Sequence, residues 1–564
     1  MAASLIGQGL AGDFLGVAKV SVQDLESQFL EELATANSQA KTRLLNLEST
    51  LRPMYLVVPK ETDGTLSHNV VRYVLHRYFV RQHGWFIRGL EPGSEFTNMT
   101  TQEQVGLDPS KQALQDMQEW VPSYLQQFLE TLIGGRGVNL RELAVFAATL
   151  EDLVHKEEIG HLHKAYSTLW LDESEPVDHQ NAFNVLQTYM MIYMLGGNFT
   201  VNTPEKASHL MRLFAQKVAS WDKTIAWLQR IHQKFQPSGT SVDFNTTAKI
   251  VEELGERYGV FNDAECGRLK AELMKMESQK PGRVRLSDFY KKSLFGAWEF
   301  NEKIDYLRSA GLLDESEPST PFVLLPNYVA SRPNCLASSS FYAVCCRNEC
   351  EDLMEHMERE VGGSSARPPQ IAKLVAKLST ETVAAPRVLP KTLMQRLQEV
   401  ASRNHGQVPL HGRLFAQWMH HAFPRECPYP QQAGSASPLT PDEWMQKTGS
   451  ADAKASKEEM LSTISNDNCR FAPKGVECSG QVIHSDDDTE LPWDSNEELL
   501  IVREQLEKPR FTYPRIGDGV LHPGRDVVCW FSVCSLSWML SLFFWKLKGT
   551  ISDKKVSALS GALI

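Results

Sequence analysis

Apolar residues recur three and four positions apart through most of residues 20–310, the spacing of helices that bury one face. Val71–Phe79, Leu140–Leu153, Phe183–Leu195 and Ile250–Tyr258 carry the pattern most cleanly, while strand-like alternation is rare and short. A mainly α fold is therefore expected. The hexapeptide LDESEP stands twice, at Leu171–Pro176 and Leu313–Pro318, each time after a helical stretch. It predicts an acidic turn whose proline sets up the next segment. From about residue 330 to 430 Pro, Cys and His become more frequent and the helices shorten, with helices predicted over Cys350–Val361, Pro369–Leu378 and Leu389–Ser402. Residues 431–526 turn Ser-, Asp-, Glu- and Pro-rich, including the run Asp486–Glu490. So little apolar surface is available there that a disordered acidic stalk is expected.

Polarity then disappears. Residues 527–545 (Val527–Trp545) are nineteen residues without a charge, with Trp530 and Trp545 near the two ends. A bilayer core of about 30 Å takes roughly 20 apolar residues as a helix, so this run predicts one transmembrane helix, with residues 546–564 as a short basic tail. The architecture expected is thus an N-terminus over residues 1–19 that reads as a truncated leader, a helical region over 20–325, a Cys/His-containing helical module over 326–430, the stalk, the span and the tail. Four lysines, Lys546, Lys548, Lys554 and Lys555, follow the span and only Arg525 closely precedes it, which points to a lumenal or extracellular main domain. Sequons at Asn98, Asn198 and Asn245 agree with that side and are candidate glycosylation sites. The first residues lack a basic stretch and contain Asp13, a poor signal peptide. The expectation is a start lying upstream, with a tail-anchored cytosolic protein as the alternative.

Composition narrows the function classes. A net charge of −11 disfavours nucleic acid as a partner. Nucleophile elbows, phosphate loops, dinucleotide fingerprints and kinase signatures are missing from the sequence. Of ten cysteines, Cys529 and Cys534 lie in the apolar run; the others are Cys266, Cys335, Cys345, Cys346, Cys350, Cys427, Cys469 and Cys478. Cys335, Cys345, Cys346 and Cys350 crowd together without zinc-ribbon spacing, which makes them disulfide candidates in an oxidising compartment, with reduced thiols or a metal as alternatives. Vicinal Cys345 and Cys346 should reach different partners, and Cys427 is a candidate distant one. His405, His411, His420 and His421 form the densest histidine group, without HExxH spacing. They read as structural, with a metal or acid–base role as the alternative.

Two stretches fit the frame of a calcium-binding helix–loop–helix hand. There, oxygen ligands stand at loop positions 1, 3, 5, 7, 9 and 12 and glycine at 6, and an aliphatic residue at 8 pairs with the neighbouring hand. Pro59–Val70 places Glu61 at 3, Asp63 at 5, Gly64 at 6 and Leu66 at 8, but has proline at 1 and valine at 12. Glu277–Asp288 places Glu277 at 1, Gly282 at 6, Val284 at 8 and Asp288 at 12, but has proline at 5 and the cations Lys280, Arg283 and Arg285. The frame is kept and the ligands are lost, so non-binding hands are expected. A third frame, Phe235–Thr246, puts Val242 forty-two residues before Val284 as its pairing partner, and Leu140 with Val177 would make another pair.

The run Val251–Gly259, the loop ending Val284–Tyr290, and Val408–Trp418 through Phe423–Pro428 resemble an uncharacterised family of large alveolate-protist proteins. Its members combine an EF-hand-like helical region with a Cys-containing C-terminal module, a signal peptide and a membrane segment. The resemblance covers roughly residues 10 to 445 and transfers no activity. It implies a lumenal domain, and the absent leader departs from its pattern.

The function expected is non-enzymatic: a single-pass membrane protein that binds or scaffolds a protein or peptide partner through degenerate EF-hand-like pairs, without a cofactor. One alternative is a calcium-responsive membrane sensor with Glu61, Asp63, Glu277 and Asp288 as ligands. Another is an enzyme using the Cys/His module.

Overall fold

Capping residues fix where the helices start. Asn139, Asp178 and Asp243 each follow a valine, and their side chains accept the backbone N–H of Glu142, Asn181 and Thr246 at 3.0, 2.8 and 2.9 Å. The computed structural model describes residues 38–90, 137–196, 199–218, 220–235, 241–277, 280–294, 299–317, 320–336, 341–437, 439–470 and 493–500, and these are mainly helical.

The first part runs α1 (Ser38–Val57), α2 (His68–His83), β1 (Trp85–Ile87), α3 (Leu140–Thr168), α4 (His179–Leu195), α5 (Pro204–Lys217), α6 (Trp221–Phe235) and α7 (Phe244–Met276). Its loops meet in pairs. Leu66, before α2, exchanges both backbone hydrogen bonds with Val138, before α3, at 2.9 Å each; Val177, before α4, does the same with Val242, before α7, at 2.8 Å each. All four side chains are buried. Residues 137–139 approach so closely that a Cβ on Gly137 would lie 1.6 Å from the Thr65 hydroxyl, which only glycine permits.

The chain continues through β2 (Arg283–Arg285), α8 (Leu286–Leu294), α9 (Ile304–Ser309), β3 (Leu313–Asp314), β4 (Phe322–Leu324) and α10 (Leu325–Val329). Strand β4 pairs antiparallel with both β2 and β3, setting Val284 opposite Val323. The expected partnership of Val242 with Val284 is therefore corrected: helix α7 lies between them, and at 1.5 Å per residue its length keeps them about 50 Å apart. The suggested Leu140–Val177 pair is replaced by Leu66–Val138 and Val177–Val242. The two LDESEP copies share one side-chain hydrogen bond, although the second copy begins in β3. Asp172 Oδ1 accepts the amide of Ser174 at 2.9 Å, and Asp314 Oδ1 that of Ser316 at 3.0 Å.

Strand β5 (Tyr342–Val344) returns to pair with β1, and a second core then follows: α11 (Cys350–Val361), β6 (Ser365–Ala366), α12 (Pro368–Val375), α13 (Lys391–Arg403), β7 (Val408–Pro409) and α14 (Arg413–Ala422) around Met357, Leu397, Phe415 and Trp418. Helix α11 carries Glu351, Glu355 and Glu358 onto Arg77 and Arg81 of α2. Arg77 Nη1 lies 2.5 Å from Glu358 Oε1, and both side chains are almost wholly buried.

Part of the expected stalk is ordered. Helices α15 (Pro441–Thr448) and α16 (Lys457–Arg470) pack through Trp444 against Tyr306 and through Met460 into the core beneath α8. Residues 493–500 lie along α14, where Glu497 Oε1 accepts the Leu414 amide at 3.0 Å and so caps a helix whose own N-cap is Gly412. A few apolar anchors (Trp444, Met460, Trp493) suffice once another core receives them. Among the described residues no helix is long and apolar enough to cross a membrane. Residues 1–19, Asp486–Glu490, the expected span 527–545 and the tail 546–564 lie outside the described residues.

Candidate functional site

The calcium frame can be followed atom by atom. In the first loop the Glu61 amide donates to Thr65 O at 2.9 Å and the Gly64 amide to Glu61 O at 3.0 Å, a tight turn that needs the φ of +82° at Gly64. Asp63 Oδ1 accepts from both the amide and the hydroxyl of Thr65, at 3.1 and 2.5 Å. In the other loop Glu277 Oε1 accepts the Gly282 amide at 2.8 Å, and Glu277 Oε2 lies 2.6 Å from Arg425 Nη2. Gly282 has φ +75°, and a Cβ there would meet Pro424 O at 2.1 Å. Asp288 pairs with Lys291 at 2.9 Å. None of Glu61, Asp63, Glu277 and Asp288 belongs to a three-ligand group among the described residues. Each loop closes on protein partners.

The cysteines resolve into three disulfides: Cys266–Cys346, Cys335–Cys345 and Cys350–Cys427. Vicinal Cys345 and Cys346 diverge as expected, and Cys427 is the distant partner of Cys350. The sequence did not offer Cys266 as a partner of the cluster, because nothing in its local spacing announces a bond across 80 residues. The histidines of this module serve its packing. His411 Nε2 is 2.9 Å from Glu358 Oε1, and His420 Nδ1 donates to Cys427 O at 2.8 Å. Burial holds His420 down to about 3, so it is neutral. His405 is exposed in the left-handed region at φ 55°, and His421 tilts against Trp493.

Of the sequons, Asn98 and Asn198 lie outside the described residues. Asn245 is exposed on the first turn of α7, while Thr247 is buried and donates its hydroxyl to Asp243 O at 3.1 Å.

Among the described residues a groove of about 510 Å³ is bordered by Thr42, Asn46 and Thr50 of α1, with Leu47, Tyr78 and the Arg43–Glu151 pair in its walls. It lies between the helices flanking the first pair of loops. Arg43 bonds Asp152 and Glu151 at 2.7 and 2.9 Å, and Tyr78 donates to Glu151 at 2.8 Å. Burial alone would raise the Glu151 carboxyl, but His83, Arg43 and Tyr78 outweigh it and hold the carboxyl below its usual range. The same burial, with the Glu151 charge, pushes the Tyr78 hydroxyl up. The floor of the groove is therefore a fixed network in which Arg43 and Tyr78 hold Glu151. The described residues do contain one group with the composition of a metal site, His155 with Glu252 and Glu256. Sequence reasoning missed it because its members are distant in the chain.

No protein-family model, curated protein sequence or solved structure matches this chain.

Proposed function

We propose that this chain is a non-enzymatic binding scaffold built on EF-hand-like pairs that need no calcium, and that its groove takes a basic peptide segment of a partner protein. The observation that carries this reading is the pairing of the loop backbones, Leu66 with Val138 and Val177 with Val242, while the carboxylates of the calcium frames are spent on Thr65, Arg425 and Lys291. In an EF-hand pair, opening of the helices exposes a groove for an amphipathic segment. Here α1, α2 and α3 are held together by the ion pairs of Arg43 with Glu151 and Asp152 and by the Tyr78–Glu151 hydrogen bond, so the groove is constitutively shaped. A net charge of −11 favours a basic occupant. Three disulfides support an oxidising compartment, and the uncharged run 527–545 supports a membrane anchor for the scaffold.

Two measurements test the reading. Calcium up to millimolar concentration should leave helicity and Tm unchanged; a saturable shift would move the protein to the calcium-sensor class. Peptides selected by display on the disulfide-intact protein should be basic. They should lose about tenfold in affinity when Thr50→Trp fills the groove. Binding indifferent to that substitution would refute the groove.

A further inference from the structure

Helix α7 crosses α2 and α3 at two glycines one turn apart. A Cβ on Gly259 would lie 2.2 Å from His83 O, and one on Gly255 would lie 1.8 Å from Glu158 Oε1. This close approach sets Glu252 and Glu256, on either side of Gly255, beside His155 of α3. One ring nitrogen of His155 and one carboxylate oxygen from each glutamate lie within 4.8 Å of one another. Glu252 and Glu256 are exposed, and neither forms a hydrogen bond or ion pair with another described residue. They stand as like charges on successive turns, an arrangement that is unfavourable by itself.

Behind them is a built support. Glu158, with its side chain only 1% exposed, places Oε2 at 3.1 Å from His155 Nδ1, and Tyr342 donates to Glu158 Oε1 at 3.4 Å. A carboxylate on one imidazole nitrogen fixes the ring and raises the basicity of the other, which is how metal-bound histidines are held. Trp85 sets its ring edge-on to His155 at 6.0 Å, walling the imidazole from one side.

We propose that His155 Nε2, Glu252 and Glu256 form a binding site for a divalent transition ion of the zinc class, with Glu158 as the group that orients the histidine. One nitrogen and two carboxylates give three protein ligands and leave coordination positions open to water or a further ligand. An imidazole ligand selects zinc-class ions over calcium, which takes oxygen alone. The site is separate from the paired loops, so it stands or falls independently of the scaffold reading.

The test is a titration of the full disulfide-bonded protein with Zn2+, read by calorimetry and Tm, and with Co2+, read by its visible spectrum, against the E252Q/E256Q variant. The two exposed amides preserve side-chain size and remove the like-charge repulsion, so the metal-free variant should be no less stable than wild type. The expected result is that wild type binds one equivalent more than the variant, with a rise in Tm and a cobalt spectrum that includes nitrogen ligation. E158Q should keep the stoichiometry and weaken affinity by roughly 10–100-fold. Equal stoichiometry and affinity in wild type and E252Q/E256Q, or no binding to either, would overturn the proposal.

Discussion

Glu277 closes on Arg425. Its Oε2 lies 2.8 Å from Nε and 2.6 Å from Nη2, and its Oε1 holds the Gly282 amide at 2.8 Å. The carboxylate that spacing offers as a first calcium ligand is thus a clamp between the loop after α7 and the segment that leads to Cys427. The side chain of Glu277 is 5% exposed and that of Arg425 28%, so the pair is more than a surface contact.

Glu277→Gln should therefore cost about 2 kcal/mol of unfolding free energy, since Arg425 would keep its charge in a half-buried site without its counter-ion. Urea denaturation of E277Q, R425A and the double variant measures the coupling. A coupling near zero would show the pair to be incidental.

The glycines of α7 divide by what surrounds them. Gly259 faces the backbone at His83 O, whereas Gly267 has nothing within 4 Å of an added Cβ and is exposed. Gly259→Ala should destabilise by roughly 3 kcal/mol, because backbone cannot yield as a side chain does. Gly267→Ala should stabilise by about 0.5–1 kcal/mol through helix propensity. Thermal melts of the two variants should move in opposite directions.

The two long disulfides close loops of 80 and 77 residues, and the short one a loop of 10. Loop-closure entropy assigns about 4.5 kcal/mol to each long bridge and about 3 kcal/mol to Cys335–Cys345. C266S/C346S should therefore lower the urea midpoint more than C335S/C345S. The reverse order would mean that the short bridge is holding the β1–β5 pairing instead.

Helices were legible where one apolar face repeats over several turns. Cys350–Val361 is a helix with those bounds, and Val71–Phe79 lies within α2. Of the bridge positions, Leu66, Val177 and Val242 were legible, whereas Leu140 was expected where Val138 stands. Leu66, Val138, Val177 and Val242 are each apolar residues set directly before Ser, Asn or Asp, the signature of a buried residue leading into an N-cap. Which loops pair was not, because pairing depends on helix length and path, and the register of Val242 with Val177 emerges only once α7 is seen as one unbroken rod. The prolines Pro59 and Pro281, which stand where the calcium frame calls for oxygen ligands, could be read from the sequence. That Glu277 instead serves Arg425, 148 residues on, could not, since no local pattern encodes it. The His155–Glu252–Glu256 group was invisible for the same reason: a spacing of 97 residues between its first two members carries no signal, although Glu252 and Glu256 are a helical turn apart.

Acid should destabilise the fold through buried neutral histidines. Burial lowers His420 to about 3 and His76 and His161 to about 4, against roughly 6.5 when exposed in the unfolded chain. A base with a depressed folded pKa leaves stability intact above the unfolded value. As pH falls below about 6.5 the unfolded chain takes up protons that the native state refuses, and each such histidine removes up to about 1.4 kcal/mol per pH unit until its folded pKa is reached. The effect of His420 can be isolated. Its Nδ1–H donates to Cys427 O at 2.8 Å, a bond that an asparagine amide can reproduce without titrating. His420→Asn should accordingly keep most of the stability at pH 7.5 and lose less of it than wild type between pH 6 and 4.5, with a slope shallower by about 1.4 kcal/mol per pH unit. Urea titrations of both proteins across that range read the difference directly. Parallel slopes would mean that His420 takes up its proton in the folded state and that the pocket beside Cys427 is open to water.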